Sequence, residues 1–511
     1  MLAKFVKQLM NQPDKKKENP NNSGNGNPLT PKQIQDNLQD NIQTFKKLYS
    51  YPKNSDITFR NLKISGLQKQ ATLLFIKTIT DIQEIENSII SPLISNQDES
   101  KIENIVAGNT ITTTSTISSL IKHVNGGDAI LFIEGFQVAY IFNAGNFESR
   151  NIEQPENEHV VKGPKEAFIE KASSNISLIR KKIKNENLIV ESMSISKRAN
   201  NEVFMLYVND LANDKLVDNI KKRLDSLDVD MIQNLSLLEQ YIDERSYSVF
   251  PTILYTERPD RAASFIADGF IVLIMDNSPD CLILPATFWS FYHNAEDYYL
   301  RLPYGNFTRF LRGLALLITL LTSAIYIALT TFHAGMIPPD LLFAIVSARF
   351  KVPLTVFAEI ILMEIAFELI REAGLRVPTP IGPTIGIVGA LILGQAAVQA
   401  NVVSPVVVIV VALGGLCSFV IGDYSLNYAF RISRFACICA AYLFGFYGIM
   451  AVFVMGLTYL SSLKSFGVPY LSPLTPSYIP SKNTIFRTIL SKDRFRPGFI
   501  KPKDTQKKTG D

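Results

Sequence analysis

Cysteine is scarce in this 511-residue chain, and its four copies, Cys281, Cys417, Cys437 and Cys439, do not recur at metal-ligand spacing. Three of them fall inside apolar segments, which favours buried thiols over a disulfide framework or a zinc site. Cys437 and Cys439 are two residues apart, so on a helix they point to opposite sides. Histidine is as sparse: His123, His159, His293 and His333 are scattered without ligand spacing. The polar part holds no Gly-rich phosphate loop, no Ser/His/Asp arrangement and no paired carboxylates, so neither an enzyme nor a cofactor is expected. "GNGNP" is low complexity, not a nucleotide fingerprint. The formal net charge of +4 is too small and too evenly spread to argue for nucleic acid. A secretory signal is missing too, since "MLAKFVKQLM" has no cleavage site and reads as a short amphipathic helix.

Long apolar runs are absent before residue 306 and dense after it. The chain therefore divides into an α/β cytoplasmic region of two related subdomains, followed by an α-helical polytopic membrane domain. Residues 1–35, with "NQPDKKKENPNNSGNGNP", form a leader too polar to order itself. Subdomain 1 covers 36–150, a connecting segment with a basic helix 151–200, and subdomain 2 201–305. The duplication is weak. "ATLLFIKTI" then "DIQEIENSIISPL" in the first copy correspond to "EVFMLYVND" then "KLVDNIKKRLDSL" in the second. Each copy ends in a hairpin, turning at "EG" (134–135) or "NSPD" (277–280). In the connecting segment, Gly163-Pro164 is expected to open a helix with Lys171, Arg180, Lys181, Lys182 and Lys184 toward its end. A solvated face and a docking surface for an acidic neighbour are both open readings of that helix.

The membrane domain, 306–463, has four segments of spanning length near 310–332, 381–400, 405–422 and 435–460. A basic tail follows over 464–511 and is expected on the cytoplasmic side, as is the leading domain. An even number of crossings is then required. "VFAEIILMEIAFELIREAG" (356–374) would be a fifth, but it carries Glu359, Glu364, Glu368, Arg371 and Glu372. Each charge facing lipid costs about 2.5–3.5 kcal/mol. Charge and parity together predict an interfacial or re-entrant helix. At 100° per residue Glu364, Glu368, Arg371 and Glu372 share one arc and Glu359 lies opposite it. An ion-pair cluster and a water-lined path both fit. In the next segment Gly382, Gly386, Ala390 and Gly394 recur every four residues, and Gln395 and Gln399 close the span. Such a stripe permits tight helix packing or a helix beside a narrow pore. "RISRF" (431–435) reads as a short basic loop.

"VVKGPKEAFIEKASSNISLIRKKIKNENLIVE", "ERPDRAASFIADGFIVLIMDNSPDCLILPATFWSFYHNAEDYY", "FELIREAGLRVPTPIGPTIGIVGALILGQAAVQANVVSP" and "RISRF" resemble the bacterial spore germinant receptor A-subunit family, the GerA family, from about residue 45 to 478. The resemblance implies a multi-pass protein of the spore inner membrane with its N-terminal domain and tail on the core side. It implies a transporter-like B subunit and a lipoprotein C subunit as partners, and a homo-oligomer, a pentameric ring, conducting monovalent cations on germinant binding. The helix from Gly382 to Gln399 and the one holding Glu359, Glu364 and Glu368 would then face the pore. Lys171, Arg180, Lys181 and Lys182 would meet an acidic neighbour in the ring. A non-conducting scaffold and the amplifying paralogue of the same family are the alternatives.

Overall fold

The computed structural model describes residues 33–96, 102–106, 111–147, 155, 158, 160–376, 382–478 and 484–507. The first α/β unit contains α1 (Leu38–Leu48), β1 (Ile57–Ile64), β2 (Lys69–Ile76), β3 (Ile111–Thr114), α2 (Ile117–Val124), β4 (Ala129–Ile133) and β5 (Ala139–Phe142). An irregular helical stretch, 82–95, follows β2. The second unit follows helix α3 (Ala172–Lys182) and contains β6 (Leu188–Ser194), β7 (Glu202–Val208), α4 (Asp214–Asp225) and α5 (Leu235–Ile242). It continues through β8 (Leu254–Thr256), α6 (Pro259–Ala267), β9 (Ile271–Met275) and β10 (Cys281–Leu284).

The two sheets have the same permutation, β1-β2-β4-β5-β3 and β6-β7-β9-β10-β8, with antiparallel neighbours throughout. The duplication thus holds at the level of topology. The sequence reading missed β1, β3, β6 and β8, which flank or separate the elements it recognised. Side chains alternate along each strand, so the central strands feed two cores. In β4, Ala129, Leu131 and Ile133 face one core, while Ile130 and Phe132 meet α1 and α2 on the other. Likewise Val272 and Ile274 of β9 face one side and Ile271, Leu273 and Met275 the other.

The units are joined by local chemistry. Ser55 N–H donates to Val190 of edge strand β6 at 2.9 Å, and buried Asp56 accepts from Arg180 of α3. Arg180 is therefore inside the molecule, which overturns its expected role as a partner contact. Lys181 and Lys182 sit 2.7 and 2.8 Å from Glu166 of the same chain. The basic helix begins at Ala172, with Lys171 as its N-cap, not at Gly163-Pro164.

The bundle comprises α7 (Leu302–Thr331), α8 (Pro339–Arg349), α9 (Val356–Arg376), α10 (Gly382–Gln399), α11 (Pro405–Ser418) and α12 (Tyr424–Ser462). Among the described residues α7 and α12 are long and apolar enough to cross a membrane. α12 is two helices, because Gly445 has φ 60° and ψ −137°. Both outer ends of this hairpin, through Leu426 and Leu460, share a core with the second α/β unit. Its turn lies at the far end, where a Cβ on Gly445 would come within 3.0–3.2 Å of His333 and Phe332. α9 starts beside Ile327 at the far end and finishes with Arg371 against Ser418 at the near end.

Three expectations are corrected here. The charged stretch, expected to be an interfacial or re-entrant helix, packs inside the bundle with Glu359 and Glu364 buried. It is a 21-residue helix running the depth of the bundle, about 30 Å. The segment 435–460 is not one straight helix but part of a two-helix hairpin that reverses at Gly445. "RISRF" is not a loop; it lies within the first half of α12. The basic tail also has a place. Ile500 is buried in the second unit's core, and Lys503 and Lys507 pair with Asp214 and Asp268 at 2.7 and 2.6 Å.

Candidate functional site: an arginine–carboxylate core in the bundle

Each carboxylate of α9 that is buried or half-buried meets an arginine or a polar group of the same chain. Glu359 accepts from Arg349 Nε at 3.1 Å and from the Ser404 backbone N–H at 2.8 Å. Further along the helix, Glu364 accepts from Ser323 Oγ of α7 at 2.6 Å. Its other oxygen lies 2.7 Å from Arg434 Nη2, an ion-pair contact whose angle makes no hydrogen bond. Arg434 Nη2 also donates to Glu368 at 2.9 Å, and Arg431 pairs with Glu368 through both Nε and Nη2. Glu359 and Glu364 are fully buried. The spacing explains the match: Glu364 and Glu368 are one turn apart on α9, Arg431 and Arg434 one turn apart on α12. Two helices in contact can present such rows to each other only when both rows face inward.

Arg371 does not pair with Glu368 three residues before it. It donates to Gly415 O at 3.1 Å and Ser418 Oγ at 2.5 Å of α11, and it stacks on Phe419 with its guanidinium 4.4 Å from the ring centre. At Gly415 the fit is close, since a Cβ would fall 2.5 Å from the Phe367 ring and the ring would have to shift. Glu372 is exposed at the near end.

The stripe lies on α10. The surroundings of Gly382, Gly386 and Ala390 lie outside the described residues. Gly394 is buried against Val408 of α11, where a Cβ would sit 3.3 Å from the valine methyl. Gln395 and Gln399 are exposed. The partners of the carboxylates, Arg349, Arg431, Arg434 and Ser323, escaped the sequence reading. For Arg431 and Arg434 the available signal is the i, i+3 spacing in "RISRF", which a loop reading of that motif hides. Among the described residues no cluster of His, Cys, Asp or Glu could hold a metal ion.

A duplicated α/β module is thus joined to a helical bundle with internal ion pairs, in which two of the described helices are long and apolar enough to cross a membrane. The family model for the Bacillus/Clostridium GerA spore germination protein matches residues 43–499. Spore germination protein B1 of Bacillus subtilis (strain 168) is 37% identical over 426 residues, 82% of this chain and 88% of the relative. Spore germination protein KA of the same organism is 36% identical, covering 92% of this chain and 88% of the relative. Spore germination protein GerLA of Bacillus cereus is 31% identical over 88% of this chain and 93% of its own length. The solved N-terminal domain of the A subunit of the Bacillus megaterium spore germinant receptor GerK3 shares 27% identity, with a TM-score of 0.40. It is matched over 97% of its length by 50% of this chain. The chain belongs to the GerA family of spore germination proteins.

Proposed function

We propose that this protein is the A subunit of a nutrient germinant receptor in the spore inner membrane, and that copies of it assemble around a cation path lined by α10. It would act with a transporter-like B subunit and a lipoprotein C subunit, the family's partners. The bundle would cross the membrane through α7, α9, α10, α11 and both halves of α12, with the α/β units and tail on the core side. The supporting observation is the outward face of α10. Gln395 and Gln399 are uncovered there while Gly394 beside them is packed. Two primary amides facing hydrocarbon are costly, so this face calls for water or a second polar face. A ring of copies supplies both, and carboxamide oxygens at a constriction suit monovalent cations.

A test is cation current through planar bilayers containing the purified receptor. The account expects current that falls in the double variant Gln395→Leu, Gln399→Leu with assembly intact. A second reading, a non-conducting scaffold, is favoured by the pairing of Glu359, Glu364 and Glu368 with arginines, which leaves these acids no free charge toward an ion. Absence of current from an assembled, germinant-responsive receptor supports the scaffold.

A further inference from the structure

Where α7 leaves the α/β region, three buried arginines converge on a single acid. Arg312 grips Asp297 through both terminal nitrogens, at 3.0 and 3.1 Å, and Arg309 Nε donates to it at 3.1 Å. Arg487, from the C-terminal segment, donates to the backbone oxygens of Asp297 and Leu300 at 2.5 and 3.2 Å. Asp297 is 1% exposed, Arg309 0%, and Arg312 and Arg487 7% each. One carboxylate thus answers three guanidinium charges. Arg309 Nη1 and Nη2 have no hydrogen-bond partner at all, and Arg487 Nε has none either.

Such an excess is costly, because a buried guanidinium that has lost water needs acceptors. Tyr298 offsets part of that cost. Its ring lies 5.4 Å from the Arg309 guanidinium and 5.6 Å from that of Arg487. Tyr298 is also 39% exposed and borders a cavity of about 320 Å³, together with His293. The carboxylates of that cavity are already engaged: Asp260 by Arg258 and Tyr299, Asp268 and Asp493 by Lys507. None of them balances the arginines. The His293 ring is bonded through Nε2 to the Thr484 carbonyl at 2.6 Å. Burial and the neighbouring Arg309 hold it neutral, its pKa pulled down to about 3.

We propose that Arg309, Arg312 and Arg487 form a binding site for a phosphate-class oxyanion, which enters beside Tyr298 from the cavity or from the adjoining membrane surface. Planar guanidinium forks match a phosphate's oxygens, and the buried, unpartnered nitrogens of Arg309 supply two donors in one plane. The anion has two sources of the same chemistry, the headgroup phosphate of an anionic lipid and free phosphate; the lipid arm rests on the membrane reading above. Conductance is scored in a separate assay, so its failure leaves this site untouched.

The test uses the full chain with two probes, inorganic phosphate added in neutral detergent and nanodiscs of phosphatidylglycerol against phosphatidylcholine. Arg487→Gln is the main variant, since it changes the C-terminal segment and spares α7; Arg309→Gln is the second. A rise in Tm with inorganic phosphate, and a Kd at least about tenfold weaker in Arg487→Gln, supports the site with a soluble ligand. A rise in Tm in phosphatidylglycerol alone, lost in either folded variant, supports it with a lipid. If neither probe separates the wild-type chain from Arg487→Gln, the proposal is overturned.

Discussion

Glu364 and Arg434 are 0% and 1% exposed, so each is a buried charge whose partner is its main source of stabilisation. Removing one member leaves the other uncompensated. Glu364→Gln or Arg434→Met is therefore expected to lower stability by about 3–5 kcal/mol, read as Tm in detergent. The paired change should recover much of that loss, because coupling between contacting charges is about 1–3 kcal/mol. A second residue-scale expectation concerns Gly415. Alanine there meets the Phe367 ring and should destabilise by about 1–3 kcal/mol, with Phe367→Leu restoring it. The acids of α9 were legible in the sequence as charges that do not face lipid. Their partners were not, because Arg431 and Arg434 lie 63 and 66 positions beyond Glu368, in a polar-looking motif that local hydropathy assigns to a loop. Arg180 was misread for the same reason. Its partner Asp56 is 124 positions distant, and a cationic run on a helix gives no local sign of which member turns inward.

At the scale of elements, the β9–β10 hairpin carries a pH-sensitive group. Asp280 is 4% exposed, and burial first, then Glu257, Glu158 and Glu170, push its pKa up to about 7. A carboxyl raised in the fold binds its proton more tightly there than in the unfolded chain. Its contribution is fully present below the ordinary carboxylate range and is lost as pH rises toward about 7. Asp280→Asn should accordingly raise stability at pH 8 by roughly 1–3 kcal/mol and change little at pH 4, by thermal melts at both values. The α12 hairpin depends on Gly445, whose backbone conformation is open only to glycine. Gly445→Ala should cost about 1–3 kcal/mol and loosen the far end, seen as faster hydrogen exchange around residues 440–450. This turn was hidden in the sequence. A glycine in an apolar run is common in membrane-grade helices, and nothing local distinguishes one that reverses the chain. The strand hairpins were visible because Gly135 and Asn277, both with positive φ, stand between unmistakable β runs.

For the whole molecule, the reversal at Gly445, which the sequence concealed, returns the C-terminal segment to the α/β units. There Lys503 and Lys507 pair with Asp214 and Asp268, binding the last described residues to the second unit. The second unit and the near end of the bundle share one apolar core through Leu316, Leu426 and Leu460, so displacement of that unit is transmitted to α7 and α12 without a flexible joint. The first unit is attached through polar contacts, Asp56 with Arg180, Ser55 with Val190, and buried Asn54 with the backbone of Leu188 and Val190. α10 presents its uncovered glutamines to whatever surrounds the bundle. The most direct test of the cation path uses Gln395→Cys and Gln399→Cys receptors in a Cys439→Ser background, since Cys439 is itself exposed. Current is recorded across planar bilayers while a charged thiol reagent is added. The account predicts block of the current at both positions and none at Leu443→Cys, on the exposed outer face of α12. Current that persists unchanged after complete labelling of the Gln395→Cys and Gln399→Cys receptors contradicts it.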